Sequence, residues 1–366
     1  MALLKTKIGL KFTDKVVKKF EKPSRYLGYF CIGLAVISMA FMIFSLGSYI
    51  ISRLSTPTEI LGPAVAFILP FKVQGAIYVP LVFWLLSVLI LATIHEFGHA
   101  LIARANHLEI KNTGPAFFGI ILPLIPAAYV EPDEKELEKR SKVQQLSVFS
   151  AGAAFNVITG LLFFIVLLFL FVPATGNVLE YDGLKIESIY AQELRDVGIK
   201  EGEIIKQIVT GTFPNPSKPE IISGGGLVFY INTKEDLTNS LLKLPPGILV
   251  KITTDRGEYG YTLIPHPTNP QKSTLGASLI QHQSFKENDV KKYGIVSLTV
   301  LKWFHELFVW LAILSLGIGA FNLLPMLPLD GGRMVKSALQ GIKFGKEIIY
   351  GVSFLFLGVL IILFLI

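Results

Sequence analysis

Two imidazoles four residues apart, with a carboxylate beside the first, stand in Ile94-His95-Glu96-Phe97-Gly98-His99-Ala100. On a helix, positions i and i+4 share a face, so His95 and His99 can turn both rings to one ion. Zinc accepts histidine nitrogens in a tetrahedral shell and makes water nucleophilic near neutral pH. Glu96, next to the first histidine, is placed to take a proton from that water. Such a five-residue pattern also arises by chance in ordinary helices, so its surroundings must decide. Here it lies in the apolar run 77–103, ~14 Å of helix from the basic end at Arg104. An ionisable side chain inside a membrane span costs about 2.5–3.5 kcal/mol on insertion scales. Three of them together between apolar neighbours point to a metal site.

Two histidines leave the shell short of a protein ligand. Asp330 is the candidate third, in Asn322-Leu-Leu-Pro-Met-Leu-Pro-Leu-Asp-Gly-Gly-Arg333. Pro325 and Pro328 prevent a continuous helix, and Gly331 and Gly332 permit tight backbone geometry, so an acid here can turn inward. By spacing alone, Asp330 serves at least as well as a helix cap at the membrane surface. His107 reads as a surface residue, and His305 with Glu306, beside Trp303, as an interfacial pair. His266 and His282 fall in the polar middle of the chain without evident partners. Cys31 reads as a small buried apolar residue.

The elements that must position these groups follow from composition. Of 366 residues, 52% are hydrophobic and 17% charged, against about 25% charged in an ordinary soluble domain. This excludes a chain soluble throughout, and it makes disorder or nucleic-acid binding poor readings. A single cysteine excludes an internal disulfide framework and a cysteine-rich metal site. Apolar runs cover 26–51, 77–103, 146–172, a stretch within 297–327, and 348–366. Each is long enough for the roughly 20 helical residues that cross a bilayer. The first is too long for the apolar core of a signal peptide, about 7–15 residues, and is expected to remain as a span. Two further apolar stretches are shorter or broken. Residues 60–71 cannot span as a helix, and 113–130 carries Pro115, Pro123 and Pro126 with Gly114 and Gly119. The second is expected to be a re-entrant loop or short strands packed against helices, with an interfacial linker as the alternative.

Residues 174–293 have ordinary polarity and form a separate soluble domain inserted between the third and fourth spans. Its β-like runs are 184–189, 204–209, 248–254 and 259–264, with one helical stretch at 234–242. Lys and Arg concentrate in three places: residues 1–25, the 104–142 connection and residues 333–346. By the positive-inside rule these lie in the cytoplasm and the inserted domain lies outside. The net charge of +7 is thus a topology signal. The expected fold is a polytopic α-helical membrane protein: a basic cytoplasmic segment 1–25, three spans in 26–172, an extracytoplasmic β-rich domain 174–293, and two spans in 297–366.

The His95–Ala100 motif together with Asn322–Gly332 resembles the site-2 protease family of intramembrane zinc metalloproteases. The resemblance runs from about residue 80 to residue 332. It implies one zinc ion per chain held by His95, His99 and Asp330, with Glu96 as general base. It also implies that Asn322 holds the substrate or the oxyanion. Ser150-Ala-Gly-Ala-Ala-Phe-Asn156 is similar to the Ala-Gly-Pro-x-x-Asn element of the helix between the zinc-bearing ones, with Ala153 in place of the proline. Residues 197–208 and 244–256 resemble the PDZ domain inserted in many members, with 212–230 as an added stretch. A PDZ domain binds peptides by strand addition, and a passive size filter over the site is the alternative role. The resemblance implies regulated intramembrane proteolysis of a single-span membrane protein in the cell membrane, with the lipid bilayer and a peptide ligand of the PDZ-like domain as partners and no nucleic acid. One rival is another membrane-embedded His-Glu-x-x-His peptidase, which would normally use glutamate or histidine as third ligand. The other is a non-proteolytic metal transporter or adaptor. Intact Glu96, and ionisable residues confined to one level, argue against it.

Overall fold

The computed structural model describes residues 2–3, 10–55, 67–73, 76–118, 125–211 and 226–365. They divide into two compact units, Met1–Val172 with Lys302–Ile366 and the intervening Pro173–Leu301.

The first unit begins with a short strand β1 (Ala2–Leu3) and helix α1 (Leu10–Ser55). The expected span 26–51 is only the later part of α1, because the basic segment before it is also helical. The two parts meet at a kink where Phe20 leaves helical geometry and Pro23 removes a backbone donor. Ser24 Oγ donates to the Phe20 carbonyl at 2.8 Å, occupying one acceptor at the break. Strands β2 (Phe67–Leu69) and β3 (Ala76–Tyr78) pair in parallel. They take up part of the apolar stretch 60–71, of which 60–66 lies outside the described residues. Helix α2 (Leu81–Ala105) follows Pro80 and carries the metal-binding pattern in its second half.

Strands β4 (Ile110–Phe118) and β5 (Ile125–Pro132) pair antiparallel, and β1 joins the outer side of β4. The broken stretch 113–130 is therefore a hairpin, with 119–124 outside the described residues. Proline and glycine suit such strands because one edge is left without a ladder partner. Val130 packs with buried Leu10, Ala100 and Ile110, which seats β5 along α2.

A short helix α3 (Glu134–Glu138), capped by Asp133, leads to α4 (Lys142–Val166). Ser141 and Gln144 form a capping box at its start. A π-helical turn at Leu167–Phe171 joins it to α5 (Val172–Val178), so this span runs past the expected end at 172.

The second unit is built on strands β6 (Leu179–Ile189), β7 (Ile204–Thr210), β8 (Val228–Tyr230), β9 (Leu249–Thr254), β10 (Glu258–Thr262), β11 (Ile264–His266), β12 (Asn269–Thr274) and β13 (Ala277–Phe285). The main sheet has the order β10-β9-β7-β6-β13, with β8 on β7. Three short helices accompany it: α6 (Gln192–Asp196), α7 (Lys234–Leu242) and α8 (Glu287–Tyr293). The expected run 259–264 divides into β10 and β11, and most of the added stretch 212–230 lies outside the described residues. Alternating burial along β9 delivers Val250 and Ile252 to a core with Leu184, Ile205, Ile208 and Tyr261. Tyr261 donates its hydroxyl to the Leu275 carbonyl at 3.0 Å, and burial pushes its pKa up to about 12. His282 and His266 do have partners here, contrary to expectation: His282 Nδ1 lies 2.5 Å from Asp182 Oδ1, and His266 Nδ1 lies 3.0 Å from Thr268 Oγ1. Asp182 reaches His282 only because β6 and β13 pair, which spacing along the chain does not reveal, whereas Thr268 is a local partner two residues from His266.

Helices α9 (Ile295–Asn322), α10 (Asp330–Ala338) and α11 (Gly345–Leu365) complete the chain. Among the described residues, five helical segments are long and apolar enough to cross a membrane: α1, α2, α4 through α5, α9 and α11. Their outward faces carry large exposed apolar side chains, such as Phe44, Phe169 and Phe354, as lipid contact requires. Inward faces interlock in small clusters, one joining Phe83 and Leu91 of α2 to Leu311 and Leu314 of α9. Another joins Ala35 of α1, Ala153 of α4, Leu323 in the turn after α9, and Met334 of α10.

Candidate zinc centre

His95 and His99 stand one turn apart on α2, and their ring centroids lie 4.8 Å apart at 81°. Asp330 opens α10, reached from α9 through a turn that the two prolines force. The position of helix cap belongs to Leu329, so Asp330 does not cap α10, although its charge suits the first turn. Its carboxylate points at the histidines instead. Gly331 explains why the turn can close so tightly: a Cβ there would run into the Leu323 and Leu324 carbonyl oxygens. Ser337 Oγ donates to Gln145 Oε1 at 3.0 Å, a buried bond that ties α10 to α4.

Three candidate ligand atoms converge. His95 Nε2 and His99 Nε2 are 3.2 Å apart, and each is 3.3 Å from Asp330 Oδ2. Ligands about 2.0–2.1 Å from a tetrahedral zinc stand about 3.3–3.4 Å from one another, so this triangle has the size of one face of such a shell. The protonation pattern agrees. His99 Nδ1 lies 2.7 Å from the Val148 carbonyl, which can only accept, so Nδ1 carries a proton and Nε2 is the nitrogen left to face His95 and Asp330 as a ligand. Asp330 Oδ2 is closed off from solvent without a hydrogen-bond donor. Lone pairs facing one another in a nearly buried space repel unless a cation lies among them. The residues fit zinc.

The space beside the rings is made by a missing side chain. On α4, a Cβ at Gly152 would fall on His99 Nε2 and within 2.8 Å of His95 Cε1. Among the described residues, His95, His99 and Asp330 form the only such group of His, Cys, Asp and Glu. Glu96 lies on α2 beside the first histidine, and its Oε2 accepts the Val130 backbone N–H at 2.8 Å. Asn322 is the last residue of α9, half-buried and without a side-chain hydrogen bond among the described residues. His305 and Glu306 lie on α9 far along the helix from Asn322, away from the converging ligands.

A sequence profile of peptidase family M50 matches residues 83–363, most of the chain and all of the motifs above. The chain belongs to peptidase family M50. It is a zinc metalloprotease of the site-2 protease family, carried on several apolar helices as a multi-pass membrane protein. A candidate zinc metalloprotease of Clostridium perfringens is 25% identical to this M50 peptidase over 313 residues, covering 71% of this chain and 88% of its own. An uncharacterised protein of Methanocaldococcus jannaschii is 25% identical over 332 residues, covering 90% of this chain and 75% of its own. Two contacts at the M50 site were not anticipated from the sequence: the Val130 amide on Glu96 and the Asn156 side chain 3.4 Å from His95 Nδ1. Asn156 had a signal, since it closes the motif from Ser150. Val130 had none, because a backbone donor is invisible in a sequence.

Proposed function

We propose that this M50 peptidase hydrolyses peptide bonds within or near the transmembrane helix of a single-span membrane protein, as a step in regulated intramembrane proteolysis. The observation that carries the reading is the triangle of His95, His99 and Asp330 set among spans apolar enough to lie in lipid. His95, His99 and Asp330 are the residues to hold zinc. Zinc held there supplies Lewis acidity, enough to make water nucleophilic near neutral pH.

Glu96 takes the proton from the attacking water and returns it to the leaving amine. Val130 orients the carboxylate for both transfers. Asn322 holds the substrate carbonyl or the developing oxyanion. A helical substrate hides its carbonyls in internal hydrogen bonds, so it must unwind locally before attack. The edge of β5 supports that step, because it offers an extended peptide a strand to pair with beside Glu96.

In this reading the segment 1–25 and the 104–142 and 333–346 connections face the cytoplasm, where their basic residues belong. Residues 174–293 are an extracytoplasmic PDZ-like domain in the cell-membrane enzyme, binding a peptide of the substrate or of a regulator; the antiparallel sheet with α7 against its core supports this. The bilayer is the remaining partner.

The test is cleavage of a model single-span substrate by the purified enzyme, with the products mapped by mass. Cuts inside or bordering the apolar segment are expected. Cleavage confined to soluble regions, or none by zinc-loaded protein, overturns the reading.

A further inference from the structure

An imidazole that offers Nε2 to a metal must carry its proton on Nδ1, and that proton needs an acceptor when buried. His99 has the Val148 carbonyl for this purpose. His95 has, within hydrogen-bond distance of Nδ1, the side chain of Asn156 at 3.4 Å. As placed, the amide nitrogen faces Nδ1, while Asn156 Oδ1 is enclosed without a partner. A donor therefore faces a donor, and an acceptor is stranded. The oxygen and nitrogen of an asparagine amide exchange places on a half-turn of the group, at no change in shape. One half-turn removes the clash: Nδ1–H gains a carbonyl acceptor, Oδ1 gains a donor, and the amide nitrogen takes the enclosed position.

The backbone that carries this side chain is held firmly. Ser315 Oγ on α9 donates to the Asn156 carbonyl at 2.7 Å, and Thr159 Oγ1 lies 3.3 Å from Ser315 Oγ. Ser315 is fully buried and Asn156 nearly so, at 0% and 1% exposure, so water does not compete for these bonds. Three helices are joined at this level: α2 through His95, α4 through Asn156 and α9 through Ser315.

We infer that Asn156 is a positioning residue for the zinc centre: its side-chain oxygen accepts the His95 Nδ1 proton and holds the ring with its Nε2 lone pair toward the metal. The inference rests on the reading of His95 as a zinc ligand. It adds a residue that touches neither substrate nor metal and acts through the ring it orients. The loss of such a partner commonly weakens metal binding by about 10–100-fold.

The test measures zinc affinity of the full-length purified protein by competition with a chromophoric chelator. Asn156→Leu, close in size but unable to accept, is expected to weaken zinc by about 10–100-fold. Asn156→Asp, which keeps an acceptor at the same reach, is expected to stay within a few-fold of the unaltered chain. The visible absorption of the cobalt-substituted protein should shift in Asn156→Leu and be restored in Asn156→Asp. Melting of the metal-free forms should be alike, which separates orientation of the ring from general packing. Unchanged zinc affinity in Asn156→Leu overturns the inference, as does an Asn156→Asp protein that binds as poorly as the leucine variant. Should Asn156→Leu not fold, Asn156→Ala against Asn156→Asp gives the same contrast. A His95→Ala control distinguishes the failures. If that variant keeps zinc, the ligand assignment itself falls. If it loses zinc while Asn156→Leu does not, only the role of Asn156 falls.

Discussion

Glu96 Oε2 and the Val130 amide are joined at 2.8 Å, a bond from the side chain of a membrane helix to the backbone of the adjacent strand. Val130 opposes Thr113 on β4 but turns its N–H away from that strand, so the side of β5 without a ladder partner faces α2. Proline at this position removes the donor while leaving the pairing with β4 intact, as edge strands allow. A hydrogen bond to a charged group is worth about 1.5–3 kcal/mol. Val130→Pro is therefore expected to lower kcat at least about tenfold with zinc content unchanged, measured by turnover and metal analysis on the same preparation. Turnover equal to that of the unaltered enzyme refutes the orienting role.

Glu96→Gln keeps the shape of the side chain and its hydrogen bond to Val130 but cannot take a proton. General-base removal typically lowers rates by about 10²–10⁴. Cleavage of a single-span substrate should fall in that range, with one zinc retained per chain. A variant with full activity would disprove the assignment of the base.

Gly152→Ala places a methyl group against both histidine rings. The rings have no room to retreat together, since Val148 holds His99 from the other nitrogen. Zinc content is expected to drop well below one per chain while the protein still inserts as a multi-span species. Retention of full zinc would mean that the helices part more easily than their packing suggests.

Removal of zinc should leave the protein less stable, because a ligand bound only by the folded state adds RT ln(1 + [L]/Kd). All three ligands bind as lone-pair donors, so protons compete with the metal and acidification favours release. Chelation should lower the melting midpoint, zinc should restore it, and the gap between loaded and stripped forms should narrow as pH falls. A midpoint indifferent to zinc at neutral pH contradicts the proposed centre. Asp330→Ala should show the same loss without chelator.

Topology is open to direct labelling because Cys31 is fully buried and gives little background. Lys272 in the second unit and Lys343 in the turn before α11 are both exposed. In intact cells, Lys272→Cys should react with an impermeant maleimide, and Lys343→Cys only after the membrane is opened. The reverse pattern would invert the orientation drawn from the basic segments.

Long apolar runs mark the spans plainly, because a bilayer demands many such residues in succession. Their ends are less legible: α1 starts earlier than hydropathy indicates, since a basic amphipathic stretch can be helical without being apolar. The hairpin β4–β5 was visible only as a broken pattern, because prolines and glycines deny a helix without specifying a partner. His95, Glu96 and His99 were readable together, as one helix turn sets their relation. Asp330 as cap or ligand could not be decided by spacing; the turn that follows α9 decides where its carboxylate points. Val130 meets the site only through strand packing, which leaves no local signature, while Asn156 was marked by its motif but not for its contact with His95.

The zinc ligands come from distant parts of the chain, the histidines from α2 and the carboxylate from α10. During synthesis, α2 enters the membrane long before Asp330 has been made. The nascent chain thus carries a base and two histidines without the third ligand, and α10 can dock on α4 only after α9 has been made. Catalytic competence is therefore withheld until α10 has been made and docked, and until then the histidines and their base wait in an incomplete site.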